Sequence, residues 1–341
     1  MNKTPERHHY IPQFLLKGFA SRITKKAHLV YRFARGAEPH EVNTINLAVA
    51  RNFHDGLSAD LEQRISFRES NYVHALEHLR GKNATSEDIG LIAECVFNLM
   101  VRTKHLRDGI TIFGNEIVGL FDLPEAQRVL RNRALKNFID AQPEIVAILS
   151  RYPKSRHQRI LLTEMTKRGF DLNGVCRGIW DKIKASIDMS KWAKDAQLKV
   201  LDKDGLPEAR RDSFLSYRWY IDSQPAGTFV LGDVGPLARV PDEVKLTLPY
   251  GCGTPLSVYL PISSAELLVG TAYPEREVIA ADEVNRASAE LSRDFFVASK
   301  NTSREQAYLQ YIGARATLLS KPDMVKGFKE VLDEFERGKQ N

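Results

Sequence analysis

Cysteine is scarce in this 341-residue chain: Cys95, Cys176 and Cys252 stand far apart, with no C-x-x-C pair. That excludes a disulfide framework and a cysteine zinc site, and it suits a reducing cytoplasm. Long apolar runs are missing too. The best candidate, Ile89–Val101, is interrupted by Gly90, Glu94 and Asn98 and is too short to cross a membrane. The first twenty residues carry Lys3, Arg7 and Lys17 without an apolar core and cleavage site, so no secretory signal is expected. There is no glycine-rich phosphate loop, G-x-S-x-G elbow or dinucleotide fingerprint, which removes the common nucleotide-binding and serine-hydrolase signatures. The second half of the chain lacks histidine: all 9 lie between positions 8 and 157.

What is present is globular in kind. Hydrophobic residues make up 43% and charged residues 27%, the balance of a soluble domain. The length suits one large domain or two ordinary ones with a sizeable core. The net charge of +6 is unevenly placed: residues 1–160 hold 24 Lys and Arg against 17 Asp and Glu, and the remainder 25 against 26. A basic half of this kind attracts phosphate backbones, or is simply a solvated basic surface.

Helical periodicity covers much of the first half. Pro12 sits where it would open a short helix from Leu15. Leu29–Phe33 reads as a strand, stopped by Gly36. Apolar residues recur at helical spacing over Asp60–Arg80, with Gly81 as the stop, and again from Thr85 and Ser86 to about Arg107, with Glu87 and Asp88 suited to the first turn. Residues 110–150 continue as helix, broken near Pro124. Arg151–Arg159 reads as a basic loop, Gly169–Gly178 as a connection and Ile179–Ala193 as a helix. From about residue 196 short β-type runs follow: Lys199–Leu201, Tyr217–Ile221, Thr228–Leu231, Val244–Leu248, Ser257–Leu260 and Glu266–Thr271. Glycine and proline punctuate them as in an antiparallel meander. Three helices, over 282–298, 304–319 and 324–336, close the chain. The fold class expected is α+β, predominantly helical. It has a mainly helical, basic region 1–195 with a small β element and an antiparallel region 196–341 with closing helices, joined as one integrated unit.

The densest chemistry lies at the start, in Arg7-His8-His9-Tyr10-Ile11-Pro12-Gln13-Phe14-Leu15-Leu16-Lys17-Gly18-Phe19. This segment resembles the opening of the DUF4238 family, a domain of unknown function. Leu29–Phe33, Leu61-Glu62 through Glu69, Leu99-Met100-Val101-Arg102-Thr103, Trp219 through Asp233, Leu260-Pro261-Ile262-Ser263 and Asn285-Arg286 resemble later family features, in the family's order. The chain departs from the pattern where the usual Ser-Asp-Asn-Pro is Gly232-Asp233-Val234-Gly235. The resemblance implies where a site would be and supplies no reaction.

The site residues are therefore read from their chemistry. Neighbouring His8 and His9 point different ways, so one faces a pocket as acid, base or metal ligand, or both serve structure. Glu62 and Glu69, seven apart, share a helix face. Arg102, late in an apolar helix, needs a partner: a bound phosphate, or Glu69. Converging, His8, His9, Glu69, Arg102 and Asp233 would form a phosphodiester-cleaving centre, possible in a defence or toxin-like effector. His9, Glu69 and Asp233 would then hold Mg²⁺ or Mn²⁺, and Arg151, Lys154, Arg156 and Arg159 would contact a nucleic acid. The alternative is a non-catalytic binding module in which His-His-Tyr is a structural plug. Two weaker motifs stand beside these. His74-Ala75-Leu76-Glu77-His78 matches the inverted zincin pattern but lacks a downstream ligand, and Asp233 with Glu243-Val244-Lys245 matches a restriction-type metal site. The location expected is cytoplasmic, with no membrane partner.

Overall fold

The computed structural model describes residues 7–55, 60–169, 171–203, 205–241, 243–249, 254–317 and 325–330. Strand β1 (Arg7–His9) opens the described chain. Pro12, with φ fixed at −56°, is the N-cap of helix α1 (Gln13–Lys17). Strands β2 (Arg22–Ile23), β3 (His28–Ala34), β4 (His40–Asn43) and β5 (Val49–Arg51) follow, with a 3-10 turn, Thr44–Asn46, between the last two. Helices α2 (Leu61–Arg80) and α3 (Ser86–Arg102) pack against each other. Thr103 takes an extended backbone, ψ 142°, and separates α3 from α4 (Lys104–Leu120). Helices α5 (Pro124–Asp140), α6 (Pro143–Leu149), α7 (His157–Lys167), α8 (Leu172–Ser186), α9 (Met189–Leu201) and α10 (Glu208–Ser216) come next. The β-rich part holds β6 (Arg218–Ser223), β7 (Leu231–Gly232), β8 (Leu237–Arg239), β9 (Ser257–Ser263), β10 (Glu266–Thr271), α11 (Ala281–Leu291), β11 (Phe295–Ala298) and α12 (Ser303–Tyr308).

The expected α+β class with helix predominating is what the chain adopts. One antiparallel sheet has the order β6-β10-β9-β8, the meander read from the Gly/Pro spacing. A second runs β2-β3-β11-β7 with β4 added to β3, and β1 pairs with β5, His8 opposite Ala50. Strands β9 and β10 are buried on both faces, so they read as continuous apolar runs instead of alternating ones.

The chain forms two units. One comprises Met1–Gly109 with Trp192–Leu318, and the other Ile110–Lys191 with Leu319–Asn341. The first holds the large core, in which Leu15, Leu16 and Phe19 of the opening segment join Ile92, Val96, Phe214, Tyr259 and Leu268. In the second, Leu120, Ala126 and Phe328 make one small cluster and Leu135, Ile139 and Leu149 another.

Several boundaries differ from expectation. Lys199–Leu201, taken as a strand, ends α9. The basic segment is a 3-10 turn, Lys154–Arg156, running into α7, so Arg159 is helical. Gly174 and Gly178 lie within α8. Val244–Leu248 makes only an isolated bridge, Ala238 to Thr247. The helix drawn over Asp282–Ala298 stops at Leu291, and Phe295 belongs to β11. Of the last expected helix, residues 325–330 are helical; Val331, Leu332 and Phe335 lie outside the described residues.

Candidate functional site

Strand β1 sends its two histidines to opposite sides. His8 is buried. Its Nδ1 accepts the His54 backbone N–H at 3.0 Å, which leaves the ring proton on Nε2. The His8 and His54 rings stack with centroids 5.1 Å apart, and His8 Nε2 faces Asp55 Oδ1 at 3.6 Å, beyond hydrogen-bond length. His54 Nδ1–H donates to Glu62 Oε2 at 2.6 Å. Burial pulls His54 down to about 4 against the upward pull of Glu62. Burial pushes Glu62 up, but the bond from His54 and the neighbouring positive charges hold it below the ordinary carboxylate value. His54 Nε2 is enclosed without a hydrogen-bond partner among the described residues.

His9, half-buried, meets the Leu47 carbonyl through Nδ1 at 3.1 Å, and burial lowers its pKa. The Gln13 amide lies 3.2 Å from its ring. That amide also donates to the Thr44 carbonyl at 2.8 Å, and the Thr44 hydroxyl donates back to Gln13 Oε1 at 3.0 Å.

Arg102, only 5% exposed, donates to the Glu69 carboxylate and to the His9 carbonyl, tying α3 to α2 and β1. Pro12, Glu69, Tyr72, Cys95, Asn98 and Arg102 are among the residues enclosing a cavity of about 20 Å³ here, room for a single water. Glu62 and Glu69 do share a face of α2, but they serve two different partners, His54 and Arg102.

Asp233 follows β7 and is buried. Its carboxylate accepts the backbone N–H groups of Arg293 (2.9 Å), Asp294 (2.7 Å) and Phe295 (3.1 Å) at the start of β11. Burial pushes it up to about 6 in spite of these three donors. Gly232 precedes it because a Cβ there would stand 2.6 Å from the Ser288 carbonyl oxygen. The Tyr10 hydroxyl is pushed up by burial and by the Asp233 charge, so the opening motif and this turn are electrostatic neighbours.

Among the described residues, no group of three or more His, Cys, Asp or Glu side chains is arranged to hold a metal ion. His9 through its carbonyl, Glu69 and Arg102 come together, His8 belongs to the His54–Glu62 group, and Asp233 staples β7 to β11. The H-x-x-E-H pair separates: His74 lies 3.7 Å from Glu77, whereas His78 Nδ1 bonds Asp88 at 3.0 Å. Glu243-Val244-Lys245 lies in an irregular segment with Val244 exposed, not on a strand. Arg151, Lys154, Arg156 and Arg159 are all exposed. No helix among the described residues is long and apolar enough to cross a membrane.

His54 and Asp55 escaped the sequence reading. The only signal was a His-Asp pair shortly before a helix whose first turn carries Glu62. A family model described as "Protein of unknown function (DUF4238)" matches residues 7–323. No curated protein and no solved structure matches the chain.

Proposed function

The chain belongs to the DUF4238 family, and since that description assigns no reaction, we propose a function from the geometry: a non-catalytic binding module whose His-His-Tyr segment is a structural plug. One observation carries this reading. Arg102, the side chain best suited to clamp a phosphate, gives its guanidinium to Glu69 and the His9 carbonyl, beside a cavity sized for one water. His8 is likewise turned inward onto a backbone N–H.

The test is to incubate the purified protein and a His8→Ala/His9→Ala variant with single- and double-stranded DNA and RNA, under Mg²⁺, Mn²⁺, Zn²⁺ or EDTA. Urea unfolding of both is followed in parallel. The expected result is no cleavage by either, and a loss of about 2–4 kcal/mol in the variant from unsatisfied buried groups and a vacated core. Metal-dependent cleavage by the parent that disappears in a stably folded variant would falsify the reading.

The His54–Glu62 pair favours a second reading. A carboxylate that orients an imidazole is the general-base arrangement, and stacked His8 would supply a second acid/base group. This supports a phosphodiester-cleaving protein acting on nucleic acid; the Mg²⁺ or Mn²⁺ expected of such a protein has no ligand group among the described residues. Its own mark would be cleavage lost in Glu62→Gln with the urea midpoint held.

A further inference from the structure

Net positive charge lies in two stretches, +4 over residues 1–109 and +5 over residues 110–191, and the remainder of the chain is −3. Residues 110–191, about a quarter of the sequence, hold 14 Lys and Arg against 9 Asp and Glu. These residues form the C-terminal part of α4, helices α5–α8 and the start of α9, within the second unit.

In that unit α5 packs beside α8. The first half of α5 and the start of α8 border a cavity of about 370 Å³. Its wall includes three guanidinium groups, Arg128 and Arg131 from α5 and Arg177 from α8, and the side-chain amides of Gln127 and Asn173. Helix geometry explains the grouping: positions 128 and 131 are three apart and 173 and 177 four apart, so each pair lies on one face. The wall has one acid, Asp171. Its Oδ1 accepts the Gly174 N–H at 2.9 Å and caps α8, so that carboxylate is committed to its own helix. Gly174 is what allows this, because a Cβ there would stand 2.3 Å from Asp171 Oδ2. The wall charges are three positive against one negative.

Arg131 donates to Asn173 Oδ1 at 2.8 Å, which holds its guanidinium against the wall. Its Nε–H is enclosed and finds no partner among the described residues. A buried donor without an acceptor is costly. Guanidinium forks match phosphate oxygens two at a time. The volume falls within the roughly 300–1,000 Å³ of small-ligand sites.

We propose that this cavity binds a phosphate-bearing ligand of mononucleotide size. The proposal deepens the binding-module reading by naming a ligand class, and it stands on residues of the other unit. Cys176 is also in the wall, its thiol raised by burial and drawn back by the Arg131 charge. It is therefore a built-in reporter of occupancy.

The full chain is titrated calorimetrically with AMP, pyrophosphate and inorganic phosphate, beside adenosine and a short oligothymidylate. Iodoacetamide labelling of Cys176 is read by mass spectrometry with and without AMP. The phosphorylated small molecules bind and adenosine does not. Arg128→Gln/Arg177→Gln, two exposed positions, weakens AMP by at least about tenfold at an unchanged urea midpoint. Bound AMP slows alkylation of Cys176. Equal affinity for adenosine and AMP, an affinity indifferent to the double variant, or binding of the oligothymidylate alone overturns the proposal. Nuclease activity with AMP binding intact would remove the binding-module reading and leave this site standing. No AMP binding in a protein that also cleaves nothing would do the reverse.

Discussion

Arg102 illustrates how far a single residue can be read ahead. A guanidinium late in an apolar helix demands a partner, and Glu69, across α2, is that partner. Arg102→Met removes the cation and leaves the Glu69 carboxylate and the His9 carbonyl without it. Urea unfolding should show a loss of about 3 kcal/mol, and a loss under 1 would mean that the bridge is solvated. His54 was not legible in the same way, since its role rests on β1 arriving beside it from far up the chain. Its titration has a definite sign. Below pH 6.5 the unfolded chain takes up a proton at His54 that the folded chain refuses until about 4, so stability falls as pH drops through that window, by at most about 3 kcal/mol. Asp233 acts oppositely: its folded carboxyl keeps a proton up to about 6 and the unfolded one only up to 3.8, so its contribution is full in acid and lost as pH rises through 6. His54→Gln should flatten the acid loss in a series of urea midpoints between pH 4 and 7, and Asp233→Asn should remove the opposing slope. A His54→Gln profile parallel to the parent's would rule out a neutral, buried His54.

Elements with their own start signal were the legible ones. In α3 the helix starts where Thr85 and Ser86 signalled it, and Thr85 and Asp88 go further than the expected first-turn charge by completing a capping box. Asp88→Ala strips that cap and the His78 partner together. About 1 kcal/mol should be lost in a denaturant titration, with circular dichroism showing the helix otherwise intact. Elements fixed by tertiary neighbours were misread. Phe295-Phe296-Val297-Ala298 is buried on both faces, and a continuous apolar run of that length reads as readily as the tail of a helix. The turn after α1 has a stricter demand. A Cβ on Gly18 would stand 2.4 Å from the Ile262 carbonyl oxygen, backbone against backbone. Gly18→Ala must push α1 off β9 and should cost about 1–3 kcal/mol, whereas the same change at Gly90, where nothing lies within 4 Å, should be neutral or stabilising. Equal effects at both positions would contradict this packing.

At the scale of the molecule, the sequence signalled a basic first half, but a cut at residue 160 divides the basic stretch 110–191, of which +3 falls before the cut and +2 after it. The two units are unequal in core. One buries a continuous apolar interior drawn from both ends of the chain, and the other has two small clusters. Hydrogen exchange should therefore be faster along α5–α8 than along α2, α3, β9 and β10; uniform protection would show that the small clusters open only with the rest.

Consider, last, the pairing of Ala34 with Phe295, which joins β3 to β11 across most of the chain. A ribosome makes β3 early and its partner very late. The helices of residues 110–191 are complete in the interval, with partners drawn largely from their own neighbourhood. Until translation is nearly finished, β3 exposes an unsatisfied edge, whereas the partners of His8 and Arg102 are all made within the first 102 residues. Nascent chains halted before residue 295 should be held by chaperones or degraded, and those halted after it should be released as protease-resistant protein.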